Sequence, residues 1–391
     1  MKKLLINHFI SLSIKGFAVV GSFLLAKVYI DKISKEEFGL FTLTYGYVVL
    51  FATIIGTGPG LLVIAKSKNK DKIIKPAIFV IINIFIGVFI WLFINLFYKI
   101  EVSILLAICF TAICYYMNET MRLNSSGNIY IFFKDIVRSV LCILLIYIHV
   151  DNVNNILLYS SILNLASILF FVLLMKRDIY FSLDLRKITL KEYWASLSIS
   201  LSSGLQIAKG WIEIFLSGMF LSLSDVGLFS ILQRLAKLIS LPLNALNADI
   251  GKSAVISIAQ KKVSTKLKQQ LKLTRLTSIV FTVICLVILG YFLKIYDYDR
   301  SFLNYFVGVV LILTNLANVI FGPVGLFTQL SNLRDAYLYS TIVSIVLTFI
   351  FSWIFLPLYG IFALSIINLI TMIAWNWWLH YKIRKSTNIF L

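Results

Sequence analysis

The chain contains an uncharged stretch, Leu338–Leu358, with the sequence LYSTIVSIVLTFIFSWIFLPL. A helix needs about 20 apolar residues to cross the hydrocarbon core of a bilayer, so this stretch predicts a membrane-spanning helix. A second block of the same kind is Ala77–Tyr98. Over all 391 residues, 60% are hydrophobic and 14% are charged, whereas soluble domains have about 45–50% apolar and about 25% charged residues. The composition therefore indicates a polytopic membrane protein.

Blocks of this length recur along the whole chain. They predict twelve spans, at 8–30, 38–65, 76–98, 102–118, 128–149, 154–175, 193–222, 226–251, 273–293, 302–330, 336–356 and 359–380. The longest polar connections, Lys176–Lys191 and Lys252–Lys272, are too short to enclose a core of their own. The predicted fold class is therefore all-α, with about twelve transmembrane helices.

Lysine and arginine are distributed unevenly over the predicted loops. If the spans alternate in direction and the first one begins inside, most of the 36 Lys and Arg residues fall in cytoplasmic segments. An excess of these residues on one side sets the orientation of a membrane protein, so we expect both termini in the cytoplasm. The formal charge of +19 therefore needs no nucleic-acid partner to explain it.

Two similar motifs divide the chain into halves. Glu37-Phe38-Gly39-Leu40-Phe41 follows the first span, and Asp225-Val226-Gly227-Leu228-Phe229 follows the seventh. Six spans in each half keep the two halves in the same orientation, which predicts parallel repeats related by an axis along the membrane normal. We predict an N-terminal bundle, 1–190, and a C-terminal bundle, 191–391, around a central cavity.

Polar side chains recur on one face of several predicted spans. On the seventh span, Gln206, Lys209 and Glu213 share a face, and Lys209 is placed to pair with Glu213 four residues later. A charge near the bilayer centre costs roughly 2.5–3.5 kcal/mol on insertion scales, so such charges usually face a cavity. The first, eighth and tenth spans have similar stripes, which include Asn7, Ser11, Lys15, Ser22, Gln233, Arg234, Lys237, Ser240, Asn244, Asn247, Asn315 and Asn318. The alternative, that the Ser and Asn residues only join helices, stays open.

Other features of the spans favour structural roles. Asp135 and Arg138 are three residues apart near the predicted cytoplasmic end of the fifth span, which predicts a structural ion pair. Prolines in the second, eighth and tenth spans (Pro59, Pro242 and Pro323) predict kinks or breaks. The four cysteines lie in apolar spans at spacings that fit no metal site. Because no catalytic constellation or phosphate-binding glycine loop is present either, we expect no cofactor, no metal and no enzymatic activity.

Three segments together resemble a known family. The first is Leu25-Ala26-Lys27-Val28-Tyr29-Ile30, together with the Gly-Leu-Phe motif that follows it. The second is Trp211-Ile212-Glu213-Ile214-Phe215-Leu216-Ser217-Gly218, together with the second Gly-Leu-Phe motif. The third is Leu356-Pro357-Leu358-Tyr359-Gly360-Ile361-Phe362-Ala363. In order and spacing, the chain resembles the oligosaccharide and O-antigen flippases of the multidrug/oligosaccharidyl-lipid/polysaccharide exporter superfamily.

The resemblance implies a carrier that moves a polyprenyl-diphosphate-linked oligosaccharide to the outer leaflet of the bacterial cytoplasmic membrane. Taken with the polar stripes, it leads us to expect substrate-binding roles for Lys15, Lys209, Arg234, Lys237, Gln206, Asn244 and Asn315. It also suggests an ion-coupling role for Glu213, with H⁺ or Na⁺ as the ion. The expected partners are the lipid-linked oligosaccharide, membrane lipids, polysaccharide polymerase and glycosyltransferases.

Two alternatives stay open. A drug or cation antiporter of the same superfamily would carry cationic substrates, which the Lys and Arg residues of the spans would repel. A membrane polysaccharide polymerase would need a sizeable outer loop, whereas the predicted outer loops here are short and their main charged cluster is Asp297, Asp299 and Arg300.

Overall fold

The computed structural model describes residues 2–66, 77–95, 101–122, 132–174, 189–249, 257, 265–330 and 333–387. Within these ranges the chain is helical, and no strand occurs in them. The helices are α1 (Lys2–Lys32), α2 (Lys35–Lys66), α3 (Ala77–Asn95), α4 (Val102–Arg122), α5 (Arg138–Tyr147), α6 (Val153–Leu174), α7 (Leu190–Phe220), α8 (Leu223–Lys237), α9 (Leu241–Asp249), α10 (Thr265–Ile295), α11 (Phe302–Phe321), α12 (Val324–Leu330) and α13 (Arg334–Thr387).

The twelve predicted spans correspond to these helices. A π-helical turn, Phe132–Val137, leads directly into α5 and completes the fifth span. The 3₁₀ turn Leu238–Ser240 joins α8 to α9 in the eighth span, and α13 holds the last two spans, with a break at Gly360, where φ is 58°. By length and composition, six of the described helical stretches are apolar enough to cross a membrane, and two shorter helices are also apolar.

The distribution of polarity is that of a membrane protein. Large apolar side chains point outward, among them Phe85, Phe89 and Val287, which are 70%, 72% and 77% exposed. Polar side chains such as Ser217 and Asn376 are fully buried between helices. Such surfaces suit lipid outside and hydrogen-bonded helix contacts inside, so the chain is a multi-pass membrane protein.

The chain forms two compact units. Unit 1 consists of Met1–Ile30 with Ile212–Leu391, and unit 2 consists of Asp31–Trp211. These bounds differ from the predicted bundles 1–190 and 191–391, because α1 up to Ile30 and the first part of α7 each cluster with the helices of the other half. The division by internal repeat therefore stays a prediction.

Hydrogen bonds within each unit explain these bounds. In unit 1, the Tyr296 hydroxyl donates to the carbonyl of Phe23 on α1 at 3.0 Å. In unit 2, the Tyr193 hydroxyl on α7 donates to Asn83 Oδ1 on α3, also at 3.0 Å. Contacts of this kind attach each helix to residues far away in the sequence.

The core of unit 2 packs α2 tightly against α4. Gly56 lies so close to the carbonyl of Ala112 that a Cβ at this position would overlap it. Around this contact, Ala52, Tyr115 and Ile168 form part of one buried apolar cluster. A small residue at the crossing lets the two backbones approach, as is common between membrane helices.

The prolines behave differently in the two units. In unit 1, Pro242 lies in the first turn of α9, after the 3₁₀ turn, and Pro323 follows Gly322, which ends α11 with φ of 78°. The predicted interruptions of the eighth and tenth spans are therefore confirmed. In unit 2, α2 continues through Pro59 without a break.

Candidate functional site

A buried carboxylate and a lysine are connected through one glutamine in unit 1. Glu213, on α7, is only 6% exposed. Gln233 Nε2, on α8, donates to Glu213 Oε2 at 2.7 Å, and Lys237 Nζ donates to Gln233 Oε1 at 2.9 Å. An amide has both donors and an acceptor, so Gln233 serves both charged groups at once. The three residues form a continuous hydrogen-bonded chain.

Two further cations join α1 to α8 and α9. Lys15 Nζ donates to the carbonyl of Asn244 at 2.7 Å, and Arg234 Nη1 donates to the carbonyl of Ser22 at 2.9 Å. Both distances are typical of charge-assisted hydrogen bonds. The structure thus brings Lys15, Arg234 and Asn244 together with α1, as part of the same unit that holds Glu213.

The charge of this candidate site is positive. Lys237 is connected to the Glu213 carboxylate through Gln233, and Arg234 lies three residues before Lys237 on the same helix. With Lys15, the site has three cations and one described carboxylate. Such a set favours the binding of an anion, in which Arg offers a planar pair of donors and Lys a compact point charge.

Comparison with known proteins identifies the fold. No family model matches the chain, and no curated protein matches it. A solved inward-facing structure of a multidrug resistance MATE family transporter of the MOP superfamily matches with a TM-score of 0.71 at 14% identity, covering 97% of this chain and 99% of the other. A MOP superfamily transporter from Pyrococcus furiosus matches with a TM-score of 0.66 at 17% identity, covering 99% and 96%.

A third structure, a Vibrio cholerae MATE transporter, matches with a TM-score of 0.60 at 13% identity, covering 98% and 97% of the two chains. The chain has the MOP transporter fold. The prediction of an all-α protein with about twelve transmembrane helices is therefore confirmed. Because identities are this low, the likeness concerns the fold, and the more specific resemblance to O-antigen flippases stays a prediction.

Two of the predicted binding residues have structural partners within this MOP fold. Asn315 Oδ1 accepts a hydrogen bond from the Ser240 hydroxyl at 2.8 Å, and its Nδ2 donates to the carbonyl of Leu311 at 3.1 Å. The side chain of Asn244 is exposed, and its main-chain carbonyl accepts a hydrogen bond from Lys15 Nζ. Asn315 therefore joins the 3₁₀ turn to α11. This is the structural role that the sequence analysis gave as the alternative for the polar stripes.

The structure places the remaining predicted residues in unit 2. Gln206 is exposed and Lys209 is half-buried, both on the first part of α7. The boundary between the units at Trp211 separates Lys209 from Glu213, so the predicted pairing of these two residues stays a prediction. The side chains of Asn7, Ser11 and Asn247 lie outside the described part of the structure.

Sequence reasoning missed the role of Gln233 and predicted one ion pair that does not form. Gln233 belonged to a polar stripe but was not among the expected binding residues, although its four-residue spacing from Lys237 could have indicated the contact. The predicted ion pair between Asp135 and Arg138 is wrong, since no ion pair joins these two described residues. Asp135 lies in the π-helical turn, whose wider winding places residues three apart on different faces. Its carbonyl accepts a hydrogen bond from Ser139 instead.

No metal cluster is visible in the part of the chain that the structure describes. Within that part, no group of three His, Cys, Asp or Glu side chains lies close enough to hold an ion. Cys114, Cys142 and Cys285 are buried free thiols, and Cys109 is half-buried.

Proposed function

We propose that this protein carries a polyprenyl-diphosphate-linked oligosaccharide, such as an O-antigen or another surface-polysaccharide unit, from the cytoplasmic to the outer leaflet. The observation that supports this most directly is the cationic site of unit 1. Lys15, Arg234 and Lys237 accompany one buried carboxylate there, Glu213. A diphosphate is the anionic part of such a lipid, and this set of cations suits it.

One hydrogen bond of each of two cations also suits exchange with a substrate. Lys15 and Arg234 each donate to a neutral main-chain carbonyl. A phosphate oxygen is charged and makes a stronger hydrogen bond with the same donors. An arriving diphosphate would therefore draw the Lys15 side chain away from the carbonyl on α9 and the Arg234 side chain away from the carbonyl on α1. The contacts that hold α1 in unit 1 would then change when substrate binds.

Glu213 is the proposed coupling residue. Protonation of this carboxylate, or binding of Na⁺ to it, would weaken its hold on Gln233, and Gln233 in turn positions Lys237. The ion at Glu213 and the anion at Lys237 would then affect each other through one amide. In carriers built from two helical bundles, such coupling accompanies the rocking of one bundle against the other.

The polarity of the binding pocket bears on function in one of the matched structures. The Pyrococcus furiosus protein is described as a MOP superfamily transporter in which reverse polarity of the binding pocket suggests a different function. In the present chain, the three cations of the site make its polarity positive, and this polarity supports an anionic substrate.

The proposal also includes a location and an organisation. We place the protein in the bacterial cytoplasmic membrane with both termini in the cytoplasm, and we treat 1–190 and 191–391 as related repeats. Polysaccharide polymerase and glycosyltransferases are its proposed partners, because they would consume and supply the lipid-linked unit.

The test is the single replacement of Lys15, Arg234 and Lys237 by Gln in the native host. Loss of one charge-assisted hydrogen bond costs about 1.5–3 kcal/mol, so we expect roughly a tenfold to hundredfold loss of transport. Surface glycan would fall, and lipid-linked oligosaccharide would accumulate in the inner leaflet. Arg300→Gln, on the exposed connection between α10 and α11, is the matched control. Normal surface glycan in all three variants would exclude these residues as the site.

A drug antiporter is the second candidate, because the matched inward-facing structure is described as a multidrug resistance MATE family transporter. The two functions predict opposite results for a cationic dye. Dye efflux that is lost in Glu213→Gln, with surface glycan unchanged by deletion of the gene, would favour the antiporter.

A further inference from the structure

A deeply buried arginine lies in unit 2, apart from the site described above. Arg138, at the start of α5, is only 5% exposed. Its Cζ lies over the ring of Tyr45 on α2 at 4.7 Å from the ring centre, and its Nη2 is 3.4 Å from the hydroxyl oxygen of Ser161 on α6. Its Nε is buried and has no hydrogen-bond partner. One face of the guanidinium is therefore covered, while part of its donor edge is unused.

Counted along the helices, the same group lies near the middle of its span, deeper than the cytoplasmic end at which the sequence analysis placed it. Arg138 is nine residues from the Tyr147 end of α5, and Ser161 is eight residues from the Val153 end of α6. At about 1.5 Å per residue, these positions are roughly 12–14 Å from the ends of their helices, near the middle of a hydrocarbon core of about 30 Å. Water cannot easily neutralise a charge at this depth.

The described side chains around Arg138 supply hydroxyls but no counter-charge. Ser161 already accepts from the Thr111 hydroxyl at 3.1 Å and donates to the carbonyl of Leu157 at 2.7 Å, so it offers the guanidinium only a long contact. Asp135, on the same stretch of chain, makes no ion pair with Arg138. Among the side chains that the structure describes, no carboxylate lies within ion-pair distance of this guanidinium.

We infer that unit 2 contains a binding site for a small monovalent anion, in which Arg138 is the cationic ligand and the Thr111 and Ser161 hydroxyls lie beside it. The Tyr45 ring covers a face of the guanidinium, so the anion binds in the guanidinium plane, where the N–H groups point. This site is separate from the one proposed for the diphosphate and does not depend on it.

The packing around the guanidinium limits the size of the ligand. Ser161, which the guanidinium contacts, and Thr111, which contacts Ser161, are both fully buried. Since Arg138 is itself only 5% exposed, its surroundings suit a halide rather than a diphosphate.

Chloride is the probe for this site. The full-length protein would be purified in detergent with gluconate as the only small anion, at a constant ionic strength of about 0.1 M. Radiolabelled chloride should bind saturably at one site per chain, and chloride should raise the unfolding temperature relative to equal gluconate. Arg138→Gln should weaken chloride binding at least tenfold. Arg138→Lys, which keeps the charge but loses the planar donor edge, should weaken it less.

Arg300→Gln changes the same residue type at an exposed position and should bind chloride as the wild type does. The inference would be overturned if the wild type showed no saturable chloride binding, or if only pyrophosphate stabilised it. It would equally be overturned by folded Arg138→Gln with unchanged affinity. If that variant does not fold, Arg138→Lys decides, because wild-type affinity in this variant would exclude the guanidinium as ligand.

Discussion

Gln233 is the residue on which the arrangement of the candidate site depends. It lies between a carboxylate that is almost fully buried and a lysine that reaches it from the next turn of α8. A buried charge that loses a hydrogen-bond partner keeps its cost of burial, so the partner matters more than its neutral character suggests. We expect substitution at this position to affect both charged groups together.

Gln233→Leu keeps the approximate size of the side chain and removes both hydrogen bonds. We expect it to destabilise the protein by about 1.5–3 kcal/mol, the cost of losing a hydrogen bond to a charged group. Transport should fall at least tenfold as well. Unfolding in detergent and surface glycan would be measured in parallel.

Gln269→Leu is the control, because Gln269 is exposed on α10. A Gln233→Leu variant with normal stability and normal glycan would show that Gln233 does not connect Glu213 to Lys237 in the working protein.

At the scale of single elements, α2 shows how a membrane helix tolerates a proline. Pro59 has no N–H, so the carbonyl of Ile55, four residues earlier, loses its usual helical partner. Asn83 Nδ2 on α3 donates to this carbonyl at 3.1 Å, and Tyr193 on α7 holds the Asn83 side chain in place. The neighbouring N–H of Gly58 lies 3.2 Å from the Ser200 hydroxyl. Two other helices thus supply polar groups where α2 is irregular.

A double-mutant cycle tests this explanation. Asn83→Ala should destabilise the protein by about 1–3 kcal/mol, because it leaves the Ile55 carbonyl buried without a partner. In a Pro59→Ala background, the new N–H can donate to that carbonyl, so the same substitution should cost less by about 1 kcal/mol. Both values would come from unfolding in detergent.

Equal costs of Asn83→Ala in the two backgrounds would contradict the compensation. Tyr193→Phe is a useful further variant, since it removes the hydroxyl that orients Asn83 while leaving the donor itself. We expect its cost to be smaller than that of Asn83→Ala.

At the scale of the whole molecule, the basic residues predict one orientation. Reporter fusions test it: fluorescent protein joined after Thr387 should fluoresce, and alkaline phosphatase at the same site should be inactive. Phosphatase inserted after Asp299, in the connection between α10 and α11, should be active. The physical reason is that short segments rich in Lys and Arg stay in the cytoplasm. Active phosphatase at the C-terminus would overturn the proposed topology.

The sequence by itself determined the properties that each segment has alone. Length and apolarity of a block such as Leu338–Leu358 are enough to predict a spanning helix, because the bilayer imposes the same requirement on every span. Proline and glycine likewise mark the break at Gly322 and Pro323, since their effects are local. Lys15, Glu213 and Arg234 could be identified as candidate site residues in the same way, because a charge within a span is costly wherever its helix packs.

Only the tertiary structure decided which segments meet. Hydropathy does not specify that α1 clusters with 212–391, nor that Lys15 finds a carbonyl on α9, because these contacts depend on how helices far apart in sequence pack. Hydropathy also could not show that Gln233 connects the Glu213 carboxylate to the Lys237 ammonium. The π-helical turn before Arg138 also changed the face on which its predicted partner Asp135 lies. As a result, no carboxylate among the described residues lies beside this guanidinium in the core of unit 2.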